Sequence, residues 1–221
     1  MAMTMTDFSR EREAMVERQL KRRGITETHI LDAFRQMPRE EFVSPEQSPH
    51  AYGDHPLPIE AGQTISQPYI VALMIQAAAI RPGDRVLEVG AGSGYAAAVI
   101  SRIAAKVIGI ERQSELVRIA SERLERLGYG NVAIVEGDGT RGWPSEAPYD
   151  AILAAASGSH VPRTLIDQLA PGGRIVMPVG DPGRVQKLVK VTKGPSGRLV
   201  EEDLGEVRFV PLIGEEGWKD A

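Results

Sequence analysis

Val86-Leu-Glu-Val-Gly-Ala-Gly-Ser-Gly-Tyr95 is the stretch on which the reading of this chain turns. Val86 to Val89 has the composition of a buried strand. Gly90, Gly92 and Gly94 follow at alternate positions, and Tyr95 to Ile103 is rich in alanine and other apolar residues, as a helix would be. Strand, glycine turn and helix in that order place a nucleotide-like ligand at a helix N-terminus. Glycine takes positive φ and lets a ligand approach the backbone with no Cβ in the way. The spacing is G-x-G-x-G rather than the G-x-G-x-x-G of dinucleotide-binding proteins, and the acidic Glu88 stands two residues before the first glycine. Such a loop suits a ligand with a cationic end and no phosphate, a description that S-adenosylmethionine answers. A tight strand–helix turn without a ligand is the alternative this stretch alone leaves open.

Downstream, strands and helices alternate, the pattern of a parallel sheet covered on both faces. Lys106 to Ile110 reads as the second strand and ends at Glu111; Gln113 to Leu127 is its helix, with Gly128 as the stop. Val132 to Val135 is the third strand, running into Glu136-Gly-Asp138-Gly139, and Tyr149 to Ala155 is the fourth. Pro162 to Leu169 reads as a helix, Pro171-Gly172-Gly173 as a turn, and Arg174 to Val179 as the fifth strand. Residues 185–192 and 203–210 read as a closing antiparallel pair joined through Gly194-Pro195-Ser196-Gly197.

Upstream, residues 7–23 predict an amphipathic helix stopped by Gly24, and Thr26 is a candidate cap for a second helix that ends before Pro38. Residues 38–64 read as a proline-stiffened loop. Pro68 and the apolar residues after it predict a helix start, capped by Ser66 or Gln67. Ser66 then either only caps that helix or also helps the helix N-terminus hold a carboxylate. The expected organisation is an N-terminal helical cap and substrate-side loop over residues 1–80, and a ligand-binding core over 81–221.

The 221 residues suffice for one α/β domain with an elaboration, and the formal charge of −4 gives no basic field to attract nucleic acid. With no cysteine, thiol catalysis, disulfides and cysteine-based zinc sites are excluded. His50 and His55 flank Asp54 at a spacing that matches no usual ligand pattern, so no metal site is expected. No run is apolar enough to span a membrane and no signal peptide is evident, so the expectation is a cytoplasmic protein.

In a doubly wound sheet, ligands sit beyond the carboxyl ends of the strands. Glu111, ending the second strand, is where a carboxylate can accept both ribose hydroxyls. Asp138, ending the third, can accept from an adenine amino group, with the backbone of Gly137 or Gly139 close by. An exposed strand-end glutamate and an ordinary Asp-Gly turn are the plainer readings of these two residues.

Several segments together carry a resemblance: Pro38-Arg-Glu-Glu-Phe-Val43, Ala51-Tyr-Gly-Asp-His-Pro-Leu-Pro58, Gly62-Gln-Thr-Ile-Ser-Gln-Pro-Tyr-Ile-Val-Ala72, Val86 to Tyr95, Gly137-Asp-Gly139 and Val207-Arg-Phe-Val-Pro-Leu212. With them the chain, over nearly its whole length, resembles the protein-L-isoaspartate (D-aspartate) O-methyltransferase family. The glycine loop is common to many methyltransferases; Thr64–Pro68 and Val207–Leu212 are far more specific. The resemblance implies a Rossmann-like class I methyltransferase fold, with a mostly parallel seven-stranded sheet, helices on both faces and an N-terminal helical cap. It implies S-adenosylmethionine as cofactor, leaving S-adenosylhomocysteine, and isoaspartyl-containing proteins and peptides as substrates; a monomer is the separate expectation for the assembly, which the sequence itself does not fix. The family's serine falls on Ser66. The implied cofactor residues are Glu88, Gly90, Ala91, Gly92, Glu111, Arg112, Asp138 and Gly139. The implied substrate residues are Thr64, Ile65, Ser66, Gln67, Val207, Phe209 and Val210, with the peptide extended along a Val207–Leu212 edge. This chain departs from the family at Glu60, where glycine is usual, and along Leu153-Ala-Ala-Ala-Ser-Gly-Ser-His160. Against this stand a small-molecule methyltransferase of the same fold, which would differ in the cap, and a non-catalytic cofactor-binding module; the glycine spacing opposes a nicotinamide dehydrogenase.

Overall fold

The structure is a computed structural model that describes residues 8–219; the outer ends of the two expected segments, 1–7 and 220–221, lie outside them. The chain opens with α1 (Ser9–Met15), which continues without a break into a π segment (Val16–Leu20) and a 3₁₀ turn (Lys21–Arg23). Gly24, at φ 92°, stops this run as its sequence predicts. α2 (Thr28–Arg35) follows. Its cap position is Glu27, not Thr26, whose N–H instead meets the Gln76 side-chain oxygen at 3.1 Å. The proline-rich loop contains a minimal hairpin, β1 (Leu57–Pro58) with β2 (Thr64–Ile65), that periodicity does not reveal because each strand is only two residues long. α3 (Pro68–Ala77) starts at the expected proline, with Gln67 at the cap and no side chain bonding into the helix end. Ser66 is therefore not a cap.

From there the alternation is regular: β3 (Arg85–Val89), α4 (Tyr95–Ser101), β4 (Lys106–Glu111), α5 (Ser114–Arg126), β5 (Val132–Glu136), β6 (Tyr149–Ala154) and α6 (Arg163–Asp167). β7 (Leu169–Val179), β8 (Gln186–Lys193) and β9 (Leu199–Val207) complete it. They form one seven-stranded sheet in the order β5-β4-β3-β6-β7-β8-β9. Every pairing from β5 to β7 is parallel, and β8 and β9 are added antiparallel.

Two strands differ from the sequence expectation, and the helix expected over Pro162 to Leu169 is the shorter α6, because Leu169 already pairs in β7. Pro171-Gly172-Gly173 is not a turn before the fifth strand but an irregularity inside β7: pairing with β6 steps from Tyr149–Leu169 to Ala151–Arg174. The last strand is Leu199–Val207, not 203–210. The turn at Gly194–Gly197 is tight, with the Gly194 N–H donating to the Arg198 carbonyl at 2.8 Å, so pairing with β8 resumes at Leu199. Residues 208–212 leave the sheet, and the Phe209 N–H is satisfied by the Gln186 side chain at 2.8 Å instead of by a strand.

The two faces of the sheet bury separate cores. On one, cap residues Met15, Leu20, Ile25, Phe34 and Phe42 pack in a single cluster with Val99, Val107, Leu153 and Val176. On the other, Leu87, Ile108, Ile152 and Ile175 pack with Leu165 of α6. Arg174 ties the end of α3 to the sheet, donating to the Ala78 and Ala79 carbonyls at 2.7 and 2.9 Å. Arg174→Met should therefore lower the unfolding free energy by about 2 kcal/mol. In urea titrations the midpoint should fall with the slope and the single transition retained; a separate early transition would show instead a cap that unfolds alone.

Candidate active site

Strand order reverses at β3, whose neighbours are β4 and β6, and such switch points leave a crevice at the carboxyl ends of the strands. A cavity of about 250 Å³ opens there, lined on one side by the glycine turn. Gly90, Gly92 and Gly94 have φ of 82°, 53° and 84°, conformations that favour glycine. The turn is fastened to the end of β4. The N–H groups of Gly90 and Ala91 both donate to the Ile110 carbonyl, at 2.8 and 3.0 Å, and the Gly92 N–H donates to Glu111 Oε2 at 2.9 Å. Gly109, which pairs with Glu88, makes this approach possible: a Cβ there would stand 3.0 Å from that of Ala91. With these N–H groups engaged internally, the turn lacks the ring of free donors that a phosphate needs.

Glu111 is buried, at 7% exposure, so it is not a solvent-facing strand end. Besides Gly92, its carboxylate accepts from the N–H groups of Arg112 and Gln113 at 2.8 and 2.9 Å. Glu88 lies deeper, at 2% exposure, and its Oε2 has no hydrogen-bond partner. Burial, helped by the nearby Glu111 and opposed by a bond from the Ala97 backbone, pushes the Glu88 carboxyl up to about 8. A buried carboxyl with one oxygen lacking a donor is the feature of this cavity that calls for a cationic ligand.

The facing wall comes from the cap. Gly62, Gln63, Thr64, Ile65 and Ser66 line it, with Val71 and Met74 of α3 behind them. The loop after β6 and the segment Val210–Ile213 close the third side. These two are stitched together: the Ser157 N–H donates to the Val210 carbonyl, and the Leu212 N–H to the Ser157 carbonyl, each at 2.8 Å. Glu60 stands on the rim. Arg123 reaches it at 3.5 Å while donating to the Ser93 carbonyl at 2.9 Å, so the extra rim charge meets a cation.

The cavity thus brings together Thr64, Ile65, Ser66, Glu88, Gly90, Ala91, Gly92, Glu111, Arg112, Gly139 and Val210. Four other candidates lie elsewhere. Gln67 turns away, donating to Asp54 Oδ1 at 2.7 Å. Val207 is buried in the core and Phe209 packs against it. Asp138 borders a neighbouring cleft, and its oxygens already accept from the Thr140 N–H, the Thr140 hydroxyl and the Glu215 N–H at 2.9, 2.7 and 2.7 Å. Partial burial pushes its carboxyl up, but these bonds outweigh it and hold the group below its ordinary range. Sequence reasoning missed Tyr95, which lines the cavity from the first turn of α4, and Ala155 and Ala156. The place of Tyr95 directly after the last glycine is the signal that could have found it.

Residues 10–217 match the sequence profile of the family described as Protein-L-isoaspartate(D-aspartate) O-methyltransferase. A protein of Rhodopseudomonas palustris (strain HaA2) named Protein-L-isoaspartate O-methyltransferase 1 is 54% identical over 213 residues, 96% of this chain and 87% of that one. One of Pelobacter propionicus named Protein-L-isoaspartate O-methyltransferase 2 is 54% identical over 207 residues, covering 94% and 92%. Among solved structures, a protein-L-isoaspartate O-methyltransferase superposes with a TM-score of 0.83 at 35% identity; the match covers 93% of this chain but 66% of that longer one. A Plasmodium falciparum protein, described as a putative enzyme of the same kind in complex with S-adenosyl-L-homocysteine, gives 0.78 at 29% identity, covering 91% and 98%.

The state of Glu88 has a consequence for the ligand-free protein. Unfolded, this group ionises near 4.5; folded, near about 8. Between those values the folded chain holds the extra proton, so stability is lost as pH rises through that window, at about 1.4 kcal/mol per pH unit at most. Glu88→Gln removes that loss. Urea midpoints of variant and parent should draw apart from pH 4.5 to 8, the variant becoming relatively more stable; a constant gap would mean an ordinary carboxyl.

Proposed function

The chain belongs to the protein-L-isoaspartate(D-aspartate) O-methyltransferase family, and from that premise we propose how its cavity carries out the family's reaction. The activity is S-adenosylmethionine-dependent methylation of the free α-carboxylate of L-isoaspartyl and D-aspartyl residues in damaged proteins, which starts their repair through a succinimide. The observation that carries the assignment of roles is that one cavity is lined both by the glycine turn with Glu88 and Glu111 and by Thr64, Ile65 and Ser66.

When bound, S-adenosylmethionine supplies a methyl group on a positively charged sulfur. The residues present fit it. The unpartnered Glu88 oxygen suits its ammonium, Glu111 on the far side of the turn suits the ribose hydroxyls, and the turn has no phosphate cradle to leave empty. Asp138 and Gly139 stand at the adenine end in this reading. Asp138 acts there by shaping its turn, since its own oxygens are engaged. Arg112 borders both the cavity and the adjoining cleft.

On the acceptor side an α-carboxyl ionises at about 3.5, so no residue of this chain needs to take a proton from it. Ser66 is then a positioning donor: its hydroxyl holds one carboxylate oxygen and leaves the other to react. Ile65, Met74, Leu153 and Leu212 make apolar walls that exclude water. Val210, 38% exposed, is the point where the substrate chain would lie. The rest of the expected peptide edge is not free, because the N–H groups of Phe209 and Leu212 are used within the protein. The cap and loop of residues 1–80 then provide Ser66 and its wall of the acceptor side, and residues 81–221 the donor side together with the Val210–Ile213 wall.

No helix among the described residues is long and apolar enough to cross a membrane. Our reading places the enzyme in the cytoplasm as a monomer, which sedimentation checks. The activity is tested with labelled S-adenosylmethionine: methyl should enter an isoaspartyl peptide and not its normal aspartyl isomer. Ser66→Ala should lower turnover about ten- to a hundredfold and leave S-adenosylhomocysteine affinity within about twofold. Equal loss of both would make Ser66 structural.

A further inference from the structure

The first 3₁₀ turn after α2 buries an arginine completely. Arg39 has 0% exposure, and its guanidinium has no carboxylate partner. Buried charges are ordinarily paired, because the cost of taking an ion out of water is large. Here the partners are dipoles. Nε donates to the Ala51 carbonyl at 2.7 Å, Nη2 to the Ser66 carbonyl at 2.8 Å, and the guanidinium carbon sits 4.6 Å from the Tyr95 ring centre. Neither Nη1 nor the Tyr95 hydroxyl makes a well-aligned hydrogen bond, although the two side chains are close enough to interact favourably with each other.

The neighbouring groups do not supply an anion. Burial, opposed by the guanidinium itself, pushes the Tyr95 phenol up to about 12, so it is neutral. Glu40, next in sequence, is held by Arg12 at 2.9 Å and by the Tyr52 hydroxyl. The cavity's own acids, Glu88 on β3 and Glu111 at the end of β4, flank the glycine turn on the donor's side. Burial draws the Arg39 pKa down, but a guanidinium starts so high that it stays charged. Of the three residues it holds or stacks on, Ser66 and Tyr95 line the cavity.

We propose that Arg39 is a positioning residue for the acceptor: from behind the wall it fixes the Ser66 backbone and supplies the unpaired positive charge that draws a carboxylate, rather than a neutral group, to that side of the cavity. This rests on the functional reading above. The cavity is in effect polarised, with acids where the cationic donor binds and a cation behind the place where the anion binds. Discrimination between an isoaspartyl carboxylate and its uncharged amide then depends on Arg39 as well as on the Ser66 hydroxyl.

The test uses an isoaspartyl peptide as substrate and the same peptide with an α-carboxamide as competitive inhibitor. Wild-type protein should have a KM for the acid well below the Ki for the amide. In Arg39→Met the KM should rise at least about tenfold with the amide Ki nearly constant, and S-adenosylhomocysteine should bind as before. Arg39→Lys keeps a charge without the two-pronged hold. It should retain most of the discrimination while kcat falls, because the Ser66 backbone is no longer fixed. Parallel weakening of acid and amide in Arg39→Met overturns the electrostatic role, as does unchanged discrimination. If Arg39→Met does not fold, loss of discrimination in a folded Arg39→Lys overturns it equally. Wild-type protein that leaves the peptide unmethylated overturns the functional reading itself, and is distinguished by being measured first.

Discussion

The Ile110 carbonyl accepts two successive N–H groups of the glycine turn, and the rest of the site is built from that fastening. It holds the turn down against the end of β4, which a side chain at Gly109 would prevent. It brings Glu111 to the Gly92 N–H, and so sets a carboxylate at the mouth of the cavity with its charge already met by three backbone donors. It also leaves Glu88 one strand over, facing into the same space with an oxygen unmatched. A sheet of this topology always has a crevice at the switch point; what this fastening decides is the chemistry of the crevice.

Two buried polar groups in or behind the site are thus only partly satisfied by the protein, the Glu88 carboxyl and the Arg39 guanidinium. Folding alone would favour apolar residues at both positions. One is an acid that burial keeps protonated until a cation arrives and the other a cation, and they lie on the sides where ligands of opposite charge are read to bind. In the proposed reading the stability given up at both places is recovered when the reactants arrive, so that charge selects the ligand as well as shape does.

Much of this was legible in the chain. Regular alternation of apolar runs with glycine and proline punctuation gives the parallel sheet, and the glycine spacing with Glu88 gives the nature of the donor. The rest was hidden for definable reasons. β9 is an edge strand whose exposed Glu201, Glu202 and Asp203 read as a polar loop, so its start is set by the hairpin turn and not by hydrophobic pattern. Asp138 stands at the right strand end, but an aspartate followed by Gly-Thr can bond its own turn, and local bonds of that kind compete with a ligand in a way that only geometry reveals. Arg39 belongs to a charged Pro-Arg-Glu-Glu run, which reads as a solvated surface; charged residues are seldom fully buried.

Arg123 joins the two sides in a different manner. Its guanidinium holds Ser93 of the glycine turn with one nitrogen and Glu60 of the cap-side turn with another. A single stiff side chain planted on both banks behaves as a strut. Strain applied to either bank is passed through this side chain to the other. At this one point on the rim, donor cradle and acceptor cradle form a single mechanical piece.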